Sequence, residues 1–137
     1  MTTRTPMIFC FVLLLASLSV AQTSTKPTII SGQISRHEVA SVVEKGPQRF
    51  IATIRVGPVM EKGRFVGYRL VGVAADSPLS NSQTVVPGDI IIAVNGESLE
   101  RPEQFMRAWD VVRDASVLEV SLKRGAQVIL YRWSITP

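Results

Sequence analysis

Ten residues, Pro87 to Gly96, reading PGDIIIAVNG, constrain this chain more than any other stretch. Proline presets φ and glycine accepts a positive one, so Pro87 and Gly88 predict a tight turn. Ile90 to Val94 is an apolar run, mostly β-branched, and predicts a short buried strand. Asn95 and Gly96 close that strand, because Asn-Gly suits a reversal with two positive φ angles. The chain then returns toward Glu97, Ser98 and Leu99. Asp89 reads as structural, its carboxylate accepting backbone hydrogen bonds within the turn.

The chain has 137 residues, enough for one domain plus a leader or tail. Its start follows a secretory scheme: Arg4, an apolar run from Met7 to Leu18, then Ser19, Val20 and Ala21 before Gln22. The small residues predict a signal peptide over 1–21, cut after Ala21. The run is short of the roughly 20 apolar residues a spanning helix needs. An uncleaved membrane anchor is the alternative, since Met7 to Ala21 fits a tilted span or a thinned bilayer. Cys10, the one cysteine, lies in this run, so a cleaved chain has no disulfide and no thiolate chemistry. Removing Arg4 from the 15 basic residues leaves 14 against 11 acidic ones. The basic residues are scattered and not interleaved with aromatics, a solvated surface rather than a nucleic-acid footprint.

Residues 22–33 are rich in Thr, Ser, Lys and Pro over most of their length and read as a flexible linker. A helical pair is predicted over 34–54. Ser35 and Glu38 stand in capping-box spacing, with Val39, Val42 and Val43 as the apolar stripe until Gly46 and Pro47. A shorter helix follows from Gln48 to about Ile54. The remaining domain, 55–137, begins with a strand over Val56 to Met60, a turn at Glu61 to Gly63, and a return strand from about Phe65 to Gly72. Ser77 and Pro78 predict a short helix through Asn81. A helix from Pro102 to Arg113 carries Phe105, Ala108, Trp109 and Val112 on one face. Two strands, Val117 to Lys123 and Gln127 to Ile135, complete the sheet. The fold class is α+β.

Catalytic readings find little purchase. A hydrolytic triad needs a positioned base, and the single histidine, His37, sits on the first helix as a plain exposed residue. One histidine and no mature cysteine make no metal set, and no phosphate-cradling glycine pattern occurs. The expectation is a non-enzyme without catalytic residues, metal or cofactor.

The ordered pieces Asp76-Ser77-Pro78-Leu79, PGDIIIAVNG and the following helix resemble the core signature of a PDZ domain. Adding ISRHEV and RVGPVMEKGRFVGYRL narrows the resemblance to the C-terminal PDZ part of type II (general) secretion pathway protein C. The match runs from Ile34 to about Ile135, and GYRL and PGDIIIAVNG are its most specific parts. It implies a partly open β-barrel or sandwich of five to six strands with two helices, preceded by the helical pair and the signal peptide. In that family a homology region precedes the PDZ domain and contacts the outer-membrane secretin. Here only the short linker follows the leader, so the resemblance carries the PDZ role and not the secretin contact.

The resemblance implies a groove that binds an extended or C-terminal peptide as an added strand. By that resemblance Gly67, Tyr68, Arg69 and Leu70 hold the carboxylate loop, and Leu70, Val71 and the residues to Val73 form the sheet edge. Met106 and Trp109 on the facing helix would meet a ligand side chain, although a buried core helix presents the same spacing. Pro87, Gly88, Asp89, Asn95 and Gly96 are the structural turns. The function implied is an exported, periplasmic protein-interaction module in secretion, with secretion-system components or secreted substrates as partners. The alternative is a regulatory PDZ protein that reads C-termini for an envelope protease. No nucleic-acid partner is expected, and membrane contact only with the leader retained at the inner membrane.

Overall fold

The structure, a computed structural model, describes residues 26–137. The leader, its cleavage point and Cys10 lie outside the described residues. In chain order the elements are β1 (Thr28–Ser35), α1 (Arg36–Val43), α2 (Pro47–Ile51), β2 (Ile54–Glu61) and β3 (Arg64–Val73). β4 (Ile90–Val94), β5 (Glu97–Ser98), α3 (Pro102–Asp114), β6 (Val117–Arg124) and β7 (Gln127–Thr136) follow.

Local chemistry explains most of these elements. The Ser35 hydroxyl accepts the Glu38 N–H at 3.1 Å, and the Glu38 carboxylate accepts the Ser35 N–H at 2.9 Å, the expected reciprocal cap. The Ser35 N–H and hydroxyl both donate to the Glu38 carboxylate, at 2.9 Å each, and hold its carboxyl below its usual range. Pro102 takes the first-turn position of α3, where a missing N–H costs nothing. Asn95 and Gly96 have φ of 46° and 79°, the paired positive angles that an Asn-Gly reversal supplies. The β2–β3 hairpin turns at Lys62 and Gly63, with φ of 51° and 75°.

One open sheet holds the domain together, in the order β1-β7-β6-β4-β3-β2, with β5 paired to β4. All neighbours are antiparallel except β1 and β7, which run parallel over eight residue pairs from Thr28↔Ile129 to Ser35↔Thr136. The architecture is α+β, an open sheet with α1 and α3 packed together. One core cluster gathers Leu70, Val85, Leu122, Ile129 and Tyr131; the other joins Val39 and Val43 of α1 to Ile135 of β7. Trp109, Val112 and Leu118 pack against the second. Arg36 fastens α1 to the end of α3, its guanidinium donating to the carbonyls of Arg113 and Ala115 at 3.2 and 2.6 Å.

Three expectations differ from what is seen. Residues 28–33, predicted as linker, belong to strand β1. The largely exposed residues of that stretch hide a strand whose pairing is supplied from about a hundred residues away, by β7. The second helix ends at Ile51, because Thr53 and Ile54 turn into β2: the Thr53 hydroxyl donates to the Phe50 carbonyl at 2.7 Å and stops the helix. No helix forms after Ser77; residues 75–81 are successive turns, with Ser77 N–H bonded to Ala74 O and Ser80 N–H to Ser77 O. The buried Ser77 hydroxyl instead bonds the Thr53 hydroxyl at 3.0 Å, tying that loop to the start of β2.

Candidate functional site

The strand residues to which the resemblance assigns the groove all lie in β3. Gly67, Tyr68, Arg69, Leu70 and Val71 lie in β3, which pairs with β2 on one side and, at Tyr68 and Arg69, with β4 on the other; from Leu70 to Val73 no described strand pairs on the β4 side. Val59 stands opposite Gly67, Tyr68 opposite Pro58 and Ile91, and Arg69 opposite Gly57 and Ile90. A side chain at Gly67 would place its Cβ 2.3 Å from the Ile91 carbonyl oxygen, so this glycine permits close strand approach rather than anion capture. Leu70 is fully buried, and its N–H donates to the Asp89 carbonyl at 2.8 Å. Periodicity alone cannot tell how far along β3 a second neighbour extends.

The helix residues part company as well. Met106 is exposed on α3. Trp109 turns toward α2, its ring 5.8 Å from that of Phe50 and 6.0 Å from that of Phe105. It lines a cleft of about 660 Å³ between α1, α3 and the sheet, together with Phe50, Phe105, Val112, Leu118 and Trp133. The Trp109 Nε1–H is buried there without an acceptor among the described residues.

The free margins of the sheet are β2 and β1. β2 leaves α2 through Ala52 and Thr53, whose N–H groups donate to the Gln48 and Phe50 carbonyls. It then runs beside β3 with register shifts after Arg55 and after Val59. Pro58 interrupts its row of donors. The outer side of β2 over Ile54 to Gly57 is therefore the part that can accept a short extended segment.

The turn residues flank β4, with Pro87, Gly88 and Asp89 before it and Asn95 and Gly96 after it. Asp89 is 1% exposed and accepts the Val86 N–H at 2.9 Å, as read from the turn. Sequence reasoning missed its main partner. Arg124 donates to both carboxylate oxygens at 2.8 Å and to the Thr84 carbonyl at 3.0 Å. Burial pushes the Asp89 carboxyl up, but the Arg124 and Val86 bonds and the Arg124 charge outweigh it, so its pKa lies below the usual value. The same contact raises that of Arg124. Asn95 also does more than turn the chain: its side chain accepts the Glu119 N–H at 2.7 Å and donates to the Val117 carbonyl at 2.9 Å. His37 is exposed, and among the described residues no group of three His, Cys, Asp or Glu side chains converges on a metal position. No helix of the described residues is long and apolar enough to cross a membrane.

A stretch of 90 residues, 66% of this chain, is 30% identical to type II secretion system protein C of Aeromonas salmonicida and of Aeromonas hydrophila. The chain resembles type II secretion protein C. It spans about a third of the length of these relatives, 31% in each case. No family model matches it. Among solved structures, the PDZ domain of the pullulanase C protein of the Klebsiella pneumoniae type II secretion system, in complex with fatty acid, is 23% identical. The alignment covers 71% of this chain and 99% of that one, with a TM-score of 0.48. The PDZ domain of EpsC from Vibrio cholerae, residues 204–305, is 20% identical over 72% of this chain and 96% of that one, with a TM-score of 0.49.

Proposed function

We propose that this chain is an exported interaction module of a type II secretion apparatus that works by binding rather than by chemistry. On this reading a short extended segment of another protein adds to the outer side of β2 over Ile54 to Gly57. The observation that carries it is the place of β2 at the sheet margin, directly after α2 and with its outer side free of any described strand. Main-chain pairing gives affinity in such additions, and alternate side chains give selectivity. The exposed Val56 favours an apolar residue in the added segment. With the Leu70, Ala52 and Thr53 N–H groups already used internally, an internal extended segment fits better than capture of a terminal carboxylate. The leader over 1–21 would deliver the domain to the periplasm, or hold it at the inner membrane if uncleaved.

A photo-crosslinking residue at the exposed Pro58 position of the full chain, expressed in its own host, tests this reading. Capture of a secretion component or secreted protein, reduced at least tenfold by Val56→Asp in a chain that keeps its circular dichroism, is the expected result. Failure to capture any chain, or capture indifferent to Val56→Asp, overturns it. Capture of a protease would favour the regulatory alternative. Mass measurement of the N-terminus separately decides the fate of the leader.

A further inference from the structure

A segment lying along β2 presents alternate side chains to two faces of the sheet, and the fold prepares those faces differently. Residues directly opposite one another in an antiparallel pair share a face. Val56 stands opposite the fully buried Leu70, and Ile54 opposite Val73, which packs against the Leu70 cluster. Ile54 and Val56 therefore belong to the core-side face, and Arg55 and Gly57 to the outer one. Arg55 pairs with Gly72 and Gly57 with Arg69, so both arginines stand on the outer face, one in the margin strand and one in its neighbour.

Neither arginine is held by a carboxylate. The ion pairs among the described residues join other side chains, with Glu61 given to Lys123 at 3.3 Å and Asp89 to Arg124 at 2.8 Å. Over 54–73 the basic residues are Arg55, Lys62, Arg64 and Arg69, and the acidic one is Glu61. The Arg55 guanidinium rests across the bare backbone of β3: a Cβ on Gly72 would lie 2.8 Å from its Nη2 and 3.2 Å from its Nε. A Cβ on Gly57 would meet nothing within 4 Å. The outer face of the margin thus has an open notch at Gly57, with one cation two residues before it and another on the residue opposite. Exposed arginines are ordinary by themselves, but these two border the stretch, Ile54 to Gly57, where a segment adds.

We propose that the segment added to β2 is acidic on its outer face: an Asp or Glu, an apolar residue, then a second Asp or Glu. This inference rests on the strand addition proposed above and names the chemistry of its partner. The apolar residue lies beside Val56, and the two carboxylates lie beside Arg55 and beside Gly57. The first takes the Arg55 guanidinium from its place over Gly72. The second fills the notch and meets Arg69 across it, since two strand spacings, about 10 Å, are within the joint reach of a glutamate and an arginine. Opposite charges on neighbouring strands stabilise the pairing and like charges weaken it, so the two arginines also turn basic segments away. The triplet reads the same in either chain direction, and the selection holds whether the segment runs parallel or antiparallel to β2.

Fluorescence anisotropy of three labelled, end-blocked peptides mixed with the full chain tests the proposal. The first is Thr-Thr-Glu-Val-Glu-Thr-Thr, and the others carry Gln or Lys in place of both Glu residues. The Glu peptide is expected to bind about fivefold tighter than the Gln peptide, through two exposed cross-strand ion pairs, and the Lys peptide more weakly than either. Arg55 and Arg69 are exposed, so Arg55→Glu with Arg69→Glu is expected to keep its circular dichroism and to reverse the order. Arg55→Gln with Arg69→Gln should erase the preference, which decides the matter even if the reversed pair does not fold. Lys62→Glu, at the hairpin turn, should leave the order as in wild type. Val56→Asn, which changes no charge, should weaken the Glu and Gln peptides alike. A Glu peptide that binds no tighter than the Gln peptide, or an order that survives loss of both arginines, overturns the acidic pattern; weakening by Val56→Asn in that case still supports the strand addition. Binding of the Glu peptide indifferent to Val56→Asn overturns the proposal in favour of loose attraction to a basic surface. Absence of binding by all three peptides overturns the pattern and the strand addition together.

Discussion

Asp89 and Arg124 meet in a two-pronged ion pair, Nε to Oδ1 and Nη2 to Oδ2 both at 2.8 Å, with the carboxylate 1% and the guanidinium 40% exposed. The pair binds the turn before β4 to the end of β6. Removing the cation strands a buried carboxylate, so Arg124→Met is expected to cost about 3 kcal/mol. Asp89→Asn should cost less, about 1–3 kcal/mol, because the guanidinium can turn to water. Urea denaturation of the two variants beside wild type measures the order; a larger loss in Asp89→Asn would contradict it.

The same pair sets a pH dependence. Burial works to raise the Asp89 carboxyl, but the Arg124 and Val86 hydrogen bonds and the Arg124 charge leave it lowered. The folded state therefore holds this proton more weakly than the unfolded chain. Its contribution is complete above the ordinary carboxyl value of about 3.9 and is lost as pH falls through the lower folded value. Glu38, also lowered, acts with the same sign. Urea midpoints between pH 2 and 7 should fall steeply below about pH 4 in wild type and less steeply in Asp89→Asn.

Asn95 combines a left-handed backbone with two side-chain bonds to β6. Asn95→Gly keeps the backbone and loses the bonds, at roughly 1–3 kcal/mol. Asn95→Ala adds the strain of a positive φ and should cost about 1 kcal/mol more. Thermal melts of both, followed by far-ultraviolet circular dichroism, give the ranking. Equal melting temperatures for the two would remove the backbone argument.

Within β3, the expectation is loss of fold rather than loss of binding. Leu70→Ala should destabilise by about 2–5 kcal/mol, since the side chain is fully buried. Gly67→Ala forces β3 from β4 at the Ile91 carbonyl and should cost about 1–3 kcal/mol. A stable Gly67→Ala domain with unchanged hydrogen exchange at Leu70 and Ile91 would show that the strands tolerate separation there.

Much of the fold was legible because it is locally specified. The Ser35 cap, the Asn95-Gly96 reversal, the Pro102 start of α3 and the alternation of β6 and β7 each follow from a few adjacent residues. The candidate site was not, because its geometry depends on strand order. Nothing between Gly67 and Val71 shows that a second strand pairs at Tyr68 and Arg69 and goes no further. Asp89 was correctly read as a structural acceptor, yet Arg124, 35 positions later in a hairpin end, gave no local sign of being its partner. β1 failed for the same reason, since among the described residues its strand partner is the distant β7.

That partnership has a kinetic side. Thr28 and Gln127 are joined by a hydrogen bond across 99 positions, and Ile34 and Thr136 across 102. Closing so long an interval is slow beside zipping up a hairpin, so β2–β3 and β6–β7 should appear early and β1 arrive late. During that delay β7 is itself a bare rim lined with isoleucine and aromatic rings. The moment of greatest exposure to aggregation thus belongs to the nascent domain, and its risk is set by how promptly residues 28–35 come home.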